Sequence, residues 1–440
     1  MFKRFLFLSF FVIILFCYGC VGSIDDRGDI VTITIWENYN NEEHDVFVRI
    51  VRDFEDRYNS NNPDIPVFFI VERVPFDGLL PKLKTSAMTK TTPDICRVDI
   101  AHVVPLAFGK ALFDLNQFGA ESLHAKLVPA AINSNIIPIK QPDGTVKAGT
   151  YGLPDQTNTT VLFYNKDIFR KRKESLLLSG LDPNRAPRTW EEFIEYSLAI
   201  NHPEEGVYAF AMNNSLWWTF PFFNTFGAEF ISFQDGQFIT RINEPAAIAA
   251  LQFKVDLYRR YGVEAGAWQS GALGKEQGFI NGKYAMIITG PWMVKTFKNS
   301  GIDFGTALIP SGPAGTSSNV GGTNMVIFKT CKHPEIAYEF LSYLVSEEVQ
   351  VFWSNELGQI PVVLSAFDKI DTSVFPELGV FMEQMKTAQA RPLIPNYDIL
   401  ETDIVNPEMY TALTGEKSVE DALNAAARMI ESEILSIMNE

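Results

Sequence analysis

The stretch Tyr151-Gly-Leu-Pro-Asp-Gln-Thr-Asn-Thr-Thr-Val-Leu-Phe-Tyr-Asn-Lys-Asp167 joins a run of hydrogen-bonding side chains to an apolar one. Its second half, Thr160-Val-Leu-Phe-Tyr164, is β-branched and aromatic, which predicts a strand. Downstream, Thr189-Trp-Glu-Glu192 reads as a capping box that opens a helix through Ile200. Asn243-Glu-Pro starts another helix, with Ile248, Leu251, Val255 and Tyr258 on one side and Gly262 at its end. Ala285–Ile288 and Phe304–Ile309 have strand character. The last helix opens at Ser418-Val-Glu-Asp421 and carries Leu423, Ala427, Ile430, Ile434 and Ile437 along one side.

Upstream, Val31-Thr-Ile-Thr-Ile-Trp36 reads as a strand, followed by an amphipathic helix presenting Val46, Phe47, Ile50, Val51 and Phe54. The apolar run Val67–Val71 has the composition of a strand buried on both faces of a parallel sheet. A helical stretch over 78–88 leads to a short strand at Asp94–Val98. Strand and helix alternate throughout, so the expected class is α/β. Residues 20–440 are too many for one ordinary core, which predicts two domains. Without a flexible linker or internal repeat, the chain is expected to cross between them more than once.

A hydrophobic content of 46% and a charged content of 20% describe a folded globular protein. The net charge is −16, which argues against nucleic acid and against a basic membrane-surface patch. Lys3 and Arg4, the apolar run Phe5–Tyr18 and then Gly19-Cys20 form an export signal, too short for a comfortable membrane span. Cleavage removes two positive charges and leaves −18. Cys20 is similar to the modified cysteine of bacterial lipoproteins, although Cys17 and Tyr18 depart from the usual residues before it; the alternative is an ordinary secretory signal with an incidental cysteine. Residues 1–19 are then the signal peptide and 20–29 a polar tether, with the lipid as the membrane link. Cys96 and Cys331 could pair in an oxidising compartment, but two cysteines make no disulfide framework, and Cys96 reads as a small buried hydrophobe. The five histidines contain no metal-ligand pair at helical spacing, and P-loop, HExxH, GxSxG and GxGxxG signatures are missing. No cofactor or metal is expected.

Several further stretches fall in a recognisable order: Ile33-Thr-Ile-Trp36, Thr92-Pro-Asp-Ile-Cys-Arg-Val-Asp99, the segment from Tyr151 to Asp167, Pro187-Arg-Thr-Trp-Glu-Glu192, Gly278-Phe-Ile-Asn-Gly-Lys-Tyr-Ala-Met286 with Thr289-Gly-Pro-Trp292, Gly321-Gly-Thr-Asn324, and Leu357-Gly-Gln-Ile-Pro361. Together they resemble the family-1 extracellular solute-binding proteins, the maltose-binding-protein-like receptors of ABC sugar importers. The resemblance covers nearly all of residues 30–440. It implies a two-lobed periplasmic-binding-protein fold (type II), each lobe a sheet flanked by helices, with ligand held in the cleft between them. By that analogy residues 30–156 plus 311–365 form the first lobe and 157–310 plus 366–440 the second. It further implies a monomer, exported to the cell envelope, that hands a sugar to membrane permease subunits.

A sugar offers weakly apolar C–H faces and a rim of hydroxyls, so its receptor needs aromatic plates with planar amides or carboxylates around them. The candidates are Trp36, Glu37 and Asn38 after the first strand, Asp99, Gln156, Asn158, Trp217, Phe220, Trp292, Gly321, Gly322 and Tyr397. The resemblance places Trp217, Phe220 and Trp292 at stacking positions and Asn158 where many relatives carry Asp. Each has a plainer reading: core packing for the aromatics, a helix cap for Asp99, turns for the glycines. Two other classes stay open. An exported glycoside hydrolase also lines its cleft with acids and aromatics. A receptor for glycerol phosphate or polyamine would need exposed cations or several carboxylates there.

Overall fold

The computed structural model describes residues 30–140, 145–234, 237–392, 394 and 396–436; the signal segment, Cys20, the tether and Ile437 lie outside them. Two sheets organise the chain. In the first, Val31–Glu37 lies between Val67–Arg73 and Ile95–Asp99, parallel to both. Asn319–Ile327 runs antiparallel to Ile95–Asp99 and also pairs with Leu153–Thr159 and, at its start, with Gln389–Ala390. In the second sheet the order is Phe304–Ala307, Val161–Asn165, Tyr284–Thr289 and Tyr208–Ala211. Helices flank both sheets, so the class is α/β with two lobes.

One residue, Thr160, separates a strand of the first sheet from a strand of the second. The return runs from Ala307 to Asn319, and Ser318 ties the two passages together by donating from Oγ to the Thr160 carbonyl at 2.8 Å. After Val363 the chain crosses again: Phe375, Leu378 and Phe381 pack with Phe163 of the second sheet and with Phe297 on the helix Val294–Ser300. It then revisits the first sheet at Gln389–Ala390 before Ile394–Leu435 closes over the second core.

The first long helix, Asn41–Asn61, starts at a full capping box, Asn40 accepting from the Glu43 N–H and Glu43 from the Asn40 N–H. Its face Val46, Phe47, Ile50, Val51 and Phe54 is buried against Ile33, Phe69 and Phe340, each side chain contributing ~1.5–3 kcal/mol relative to exposure. The expected box at Thr189 is half formed. Thr189 caps the Glu192 N–H at 3.2 Å, but the Glu192 carboxylate accepts from Arg185 and the Arg188 N–H. Arg185 is a stronger partner for a carboxylate than a backbone amide, because both ends are charged.

The expectation of a doubly buried strand at Val67–Val71 is corrected. Val67–Arg73 is an edge strand; Val67 and Phe69 are buried, while Phe68 and Ile70 are about half exposed. The helix that follows, Phe76–Thr89, puts Leu79 and Leu83 against Cys96 and Val98, two strands away, and leaves the edge uncovered. Cys96 and Cys331 are both free and buried; burial pushes the Cys331 thiol up to about 12.

Candidate functional site

Strand Asn319–Ile327 positions the candidates. Its register sets Gly321 opposite Asn158 and Thr323 opposite both Gln156 and Asp99. Side chains alternate along strands, so Asp99, Gln156, Asn158, Asn319 and Thr323 share one face of the first sheet. Trp217, near the start of the second-lobe helix Leu216–Phe226, reaches that face at Gly321. A Cβ on Gly321 would lie 2.3 Å from the Trp217 ring and 2.4 Å from Asn158 Oδ1, so only glycine admits both. A Cβ on Gly322 would lie 2.4 Å from the Gln156 carbonyl oxygen. Trp217 is fixed at both backbone ends: its N–H donates to Glu401 Oε1 at 3.1 Å, and its carbonyl accepts from Asn319 Nδ2 at 3.0 Å.

Trp292 follows the strand Tyr284–Thr289 and stands edge-to-face with Trp218, ring centroids 6.3 Å apart. The ammonium of Lys275 lies 3.1 Å from the centroid of the Trp218 ring and donates to the Ile288 carbonyl at 2.6 Å. Burial lowers the Lys275 pKa to about 8, against the pull of Glu276. First-lobe residues meet this corner directly. Asn40 Nδ2 donates to the Trp292 carbonyl at 2.9 Å, and Thr296 Oγ1 donates to Glu42 at 3.0 Å.

Asp99 caps the helix Ile100–Phe108 and also accepts from Arg391 Nη2 at 2.5 Å. Burial would raise its carboxyl, but Arg391, His102 and the Ala101 N–H outweigh it and hold it below the usual range. The Arg391 guanidinium sits 4.7 Å from the centre of the Trp217 ring and 5.3 Å from that of the buried Tyr397. Glu401 is pushed upward by burial, with Arg391 opposing.

Four candidates are placed elsewhere. Trp36 pairs in register with Cys96, on the opposite face from Asp99, under the Phe76–Thr89 helix and with Lys82 Nζ 3.6 Å from its ring centre. Glu37 is fully buried and clasps its own loop, accepting from the Tyr39 N–H at 2.6 Å and bonding His44 Nδ1 at 2.7 Å. Asn38 accepts from Arg97. Phe220 is core, edge-to-face with Phe223 and Phe230, and walls a separate cavity of about 280 Å³ together with Asn224, Gln389 and Pro392. Gln156 shares the Asp99 face, yet it belongs to a wired network with Arg97 (2.6 Å), Glu43 (3.1 Å) and Gln359.

Sequence reasoning missed Arg391, Thr323, Trp218 and Lys275. The visible signal for Trp218 was its place beside Trp217 in one aromatic cluster. Arg391 had none, since nothing in its neighbours marks a return to the first sheet.

The cations of the region are paired, whereas among the described residues Glu401 and Glu42 accept only from the Trp217 N–H and the Thr296 hydroxyl. Arg391 pairs with Asp99, Lys84 with Asp398 at 2.6 Å, Lys275 with Glu276 at 3.2 Å, and Arg97 with Asp155 at 2.8 Å. By contrast, Asn158 Oδ1, Thr323 Oγ1 and Arg391 Nε are buried without a hydrogen-bond partner among the described residues. Buried polar atoms ordinarily have one. As to metals, His202, Glu204 and Glu205 bring ligand atoms within 4.8 Å of one another on the outside of the second lobe, where Arg172 bonds Glu205 at 2.5 Å.

The model of the bacterial extracellular solute-binding proteins matches residues 42–351. A Brucella abortus protein named as a binding protein is 24% identical over 420 residues, covering 92% of this chain and 93% of its own length. The galactooligosaccharide-binding protein of Bacillus subtilis is 26% identical over 297 residues, covering 64% of this chain and 66% of its own. Among solved structures, the GacH receptor of Streptomyces glaucescens superposes with a TM-score of 0.79 at 22% identity, covering 92% of this chain and 98% of that one.

Proposed function

This chain belongs to the bacterial extracellular solute-binding protein family, and on that premise we propose that it captures a neutral oligosaccharide between its lobes and delivers it to the permease of an ABC importer. One observation carries the choice of ligand: the cationic groups around the cleft are paired within the protein, while the atoms without a partner among the described residues sit on an amide, two hydroxyls and one guanidinium N–H near an indole ring. Neutral groups of that kind suit hydroxyls, and the Trp217 and Trp292 rings suit the C–H faces of a sugar. A glycerol phosphate would have to take cations from Asp99 or Glu276, and a polyamine would find only Glu401 and Glu42, far fewer carboxylates than its several charges need, without taking others from Arg391 or Lys84. Relatives named for galactooligosaccharide and maltodextrin point the same way, and one named for sn-glycerol 3-phosphate points the other.

The ligand-contacting set we propose is Asn158, Trp217, Trp292, Gly321, Gly322, Asp99 and Tyr397, with Trp36, Glu37, Asn38, Gln156 and Phe220 shaping what surrounds it. Lobes close to residues 30–156 plus 311–365 and 157–310 plus 366–440 are supported by the two cores, with Thr160 as the turning point and Gln389–Ala390 as a return visit. Cys20 is the proposed lipid attachment, the mature chain a monomer at the outer face of a membrane.

The protein does no chemistry on its ligand in this reading. Asp99 and Glu401 are shifted in opposite directions, as an acid–base pair would be, but Asp99 is engaged by Arg391 and the Ala101 N–H, and Glu401 by the Trp217 N–H. A thermal-shift screen tests the proposal. Neutral oligosaccharides raise the melting temperature by mass action, while spermidine and glycerol 3-phosphate leave it unchanged. Sustained release of smaller sugars during the same incubation points instead to a hydrolase.

A further inference from the structure

Resting on the sugar-binding reading above, we propose that Arg391 is a specificity-determining residue of the cleft: with Asn158 and Thr323 it forms a subsite that reads a pair of hydroxyls on the sugar ring lying beside Trp217. The three residues come from different passages of the chain. Asn158 precedes the first crossing, Thr323 lies on the returning strand, and Arg391 follows the last strand of the first sheet. The register brings them together. Gly321 faces Asn158, Thr323 faces Asp99, and Asp99 holds Arg391 at 2.5 Å. The Trp217 ring touches the same spot, packed on Gly321 and 4.7 Å from the guanidinium carbon.

Each of the three is more than nine-tenths buried and carries a polar atom without a partner among the described residues: Arg391 Nε, Asn158 Oδ1 and Thr323 Oγ1. Such atoms are costly unless something completes them. Their chemistry is complementary to vicinal hydroxyls. The Arg391 Nε–H only donates, the Asn158 carbonyl oxygen accepts, and the Thr323 hydroxyl does either. Each sugar hydroxyl both donates and accepts, so two neighbouring ones satisfy the set. Asp99 neutralises the guanidinium and fixes its plane, leaving Nε to hydrogen-bond a neutral group.

The test uses the mature chain with maltotriose and galactotriose as probes, measuring affinity by calorimetry and folding by urea denaturation. Arg391→Lys keeps the charge for Asp99 but lacks the Nε–H; it is expected to weaken the better probe about 10- to 100-fold. Gly321→Ala drives a methyl between Trp217 and Asn158 and is expected to weaken it by at least as much. Thr323→Val, isosteric and unable to donate, is expected to cost several-fold. Deoxygenating one of the two hydroxyls on the probe should cancel most of the Arg391→Lys effect. If Arg391→Lys and Gly321→Ala lower stability but bind the probe like wild type, Arg391 is a structural strut and the subsite is refuted. If wild type binds neither probe nor any other neutral sugar, the parent reading falls first and the subsite with it.

Discussion

Two buried polar regions lie on the same sheet, and they differ in how completely they are wired. On the Asp99 face at the end of the first strand, Arg97 donates to Asp155 and Gln156, Tyr39 OH donates to Asp155 at 2.7 Å, and the amides of Gln156 and Gln359 converge on Glu43. Among the described residues, only Asp155 Oδ1 in that group is left without a partner. Along the same strands, Asn158, Thr323 and Arg391 each keep an atom without a partner among the described residues, as does the hydroxyl of Tyr397 beside Arg391. A network whose members satisfy one another rigidifies a lobe; a set left unpaired beside an exposed-edge indole is suited to a ligand. The difference separates scaffold from site more sharply than residue type does, since both regions contain Asn or Gln, Asp and Arg.

Breaking the wired region has the largest expected effect. Arg97→Met leaves Asp155 buried and unpaired, and should destabilise the protein by ~3–5 kcal/mol in urea denaturation. The unwired region behaves oppositely. Trp292→Ala should weaken sugar binding by ~1–3 kcal/mol and barely change the denaturation midpoint, because the ring is partly exposed and its backbone carbonyl keeps the bond from Asn40. A Trp292→Ala protein that is correctly folded and binds with wild-type affinity would remove that ring from the site.

The smallest effect is a pH dependence. The Asp99 carboxyl is held below its ordinary value of 3.8 in the folded protein. Its contribution to stability is therefore present above that value and is lost as pH falls through the lowered one. Urea denaturation between pH 5 and pH 2.5 should show a steeper loss for wild type than for Asp99→Asn. Equal slopes would mean that Arg391 does not stabilise the ionised carboxylate.

The order of elements was legible because periodicity and capping are local. Val46, Phe47, Ile50, Val51 and Phe54 gave away their helix, and Ser418 its successor, where Ser418 Oγ caps the Asp421 N–H at 3.0 Å. What could not be read was which edge a strand occupies and which face a residue takes across strands. Val67–Val71 looks buried by composition, yet its exposure is set by the following helix passing over other strands. Trp36 and Glu37 are adjacent and must take opposite faces; register with Cys96 then sends Trp36 beneath a helix, away from Asp99. Arg391 belongs to the site through a contact 292 residues distant in sequence, with Asp99.

The proposed cleft engages its ligand with neutral groups because its cations are already paired. Calorimetric titration of the best-binding oligosaccharide from 50 mM to 500 mM salt (about 14 Å to 4 Å of Debye screening) tests it directly. The affinity is expected to stay constant to within about twofold across the range. A steady fall of tenfold or more would mean that charge attraction holds the ligand, and would contradict it.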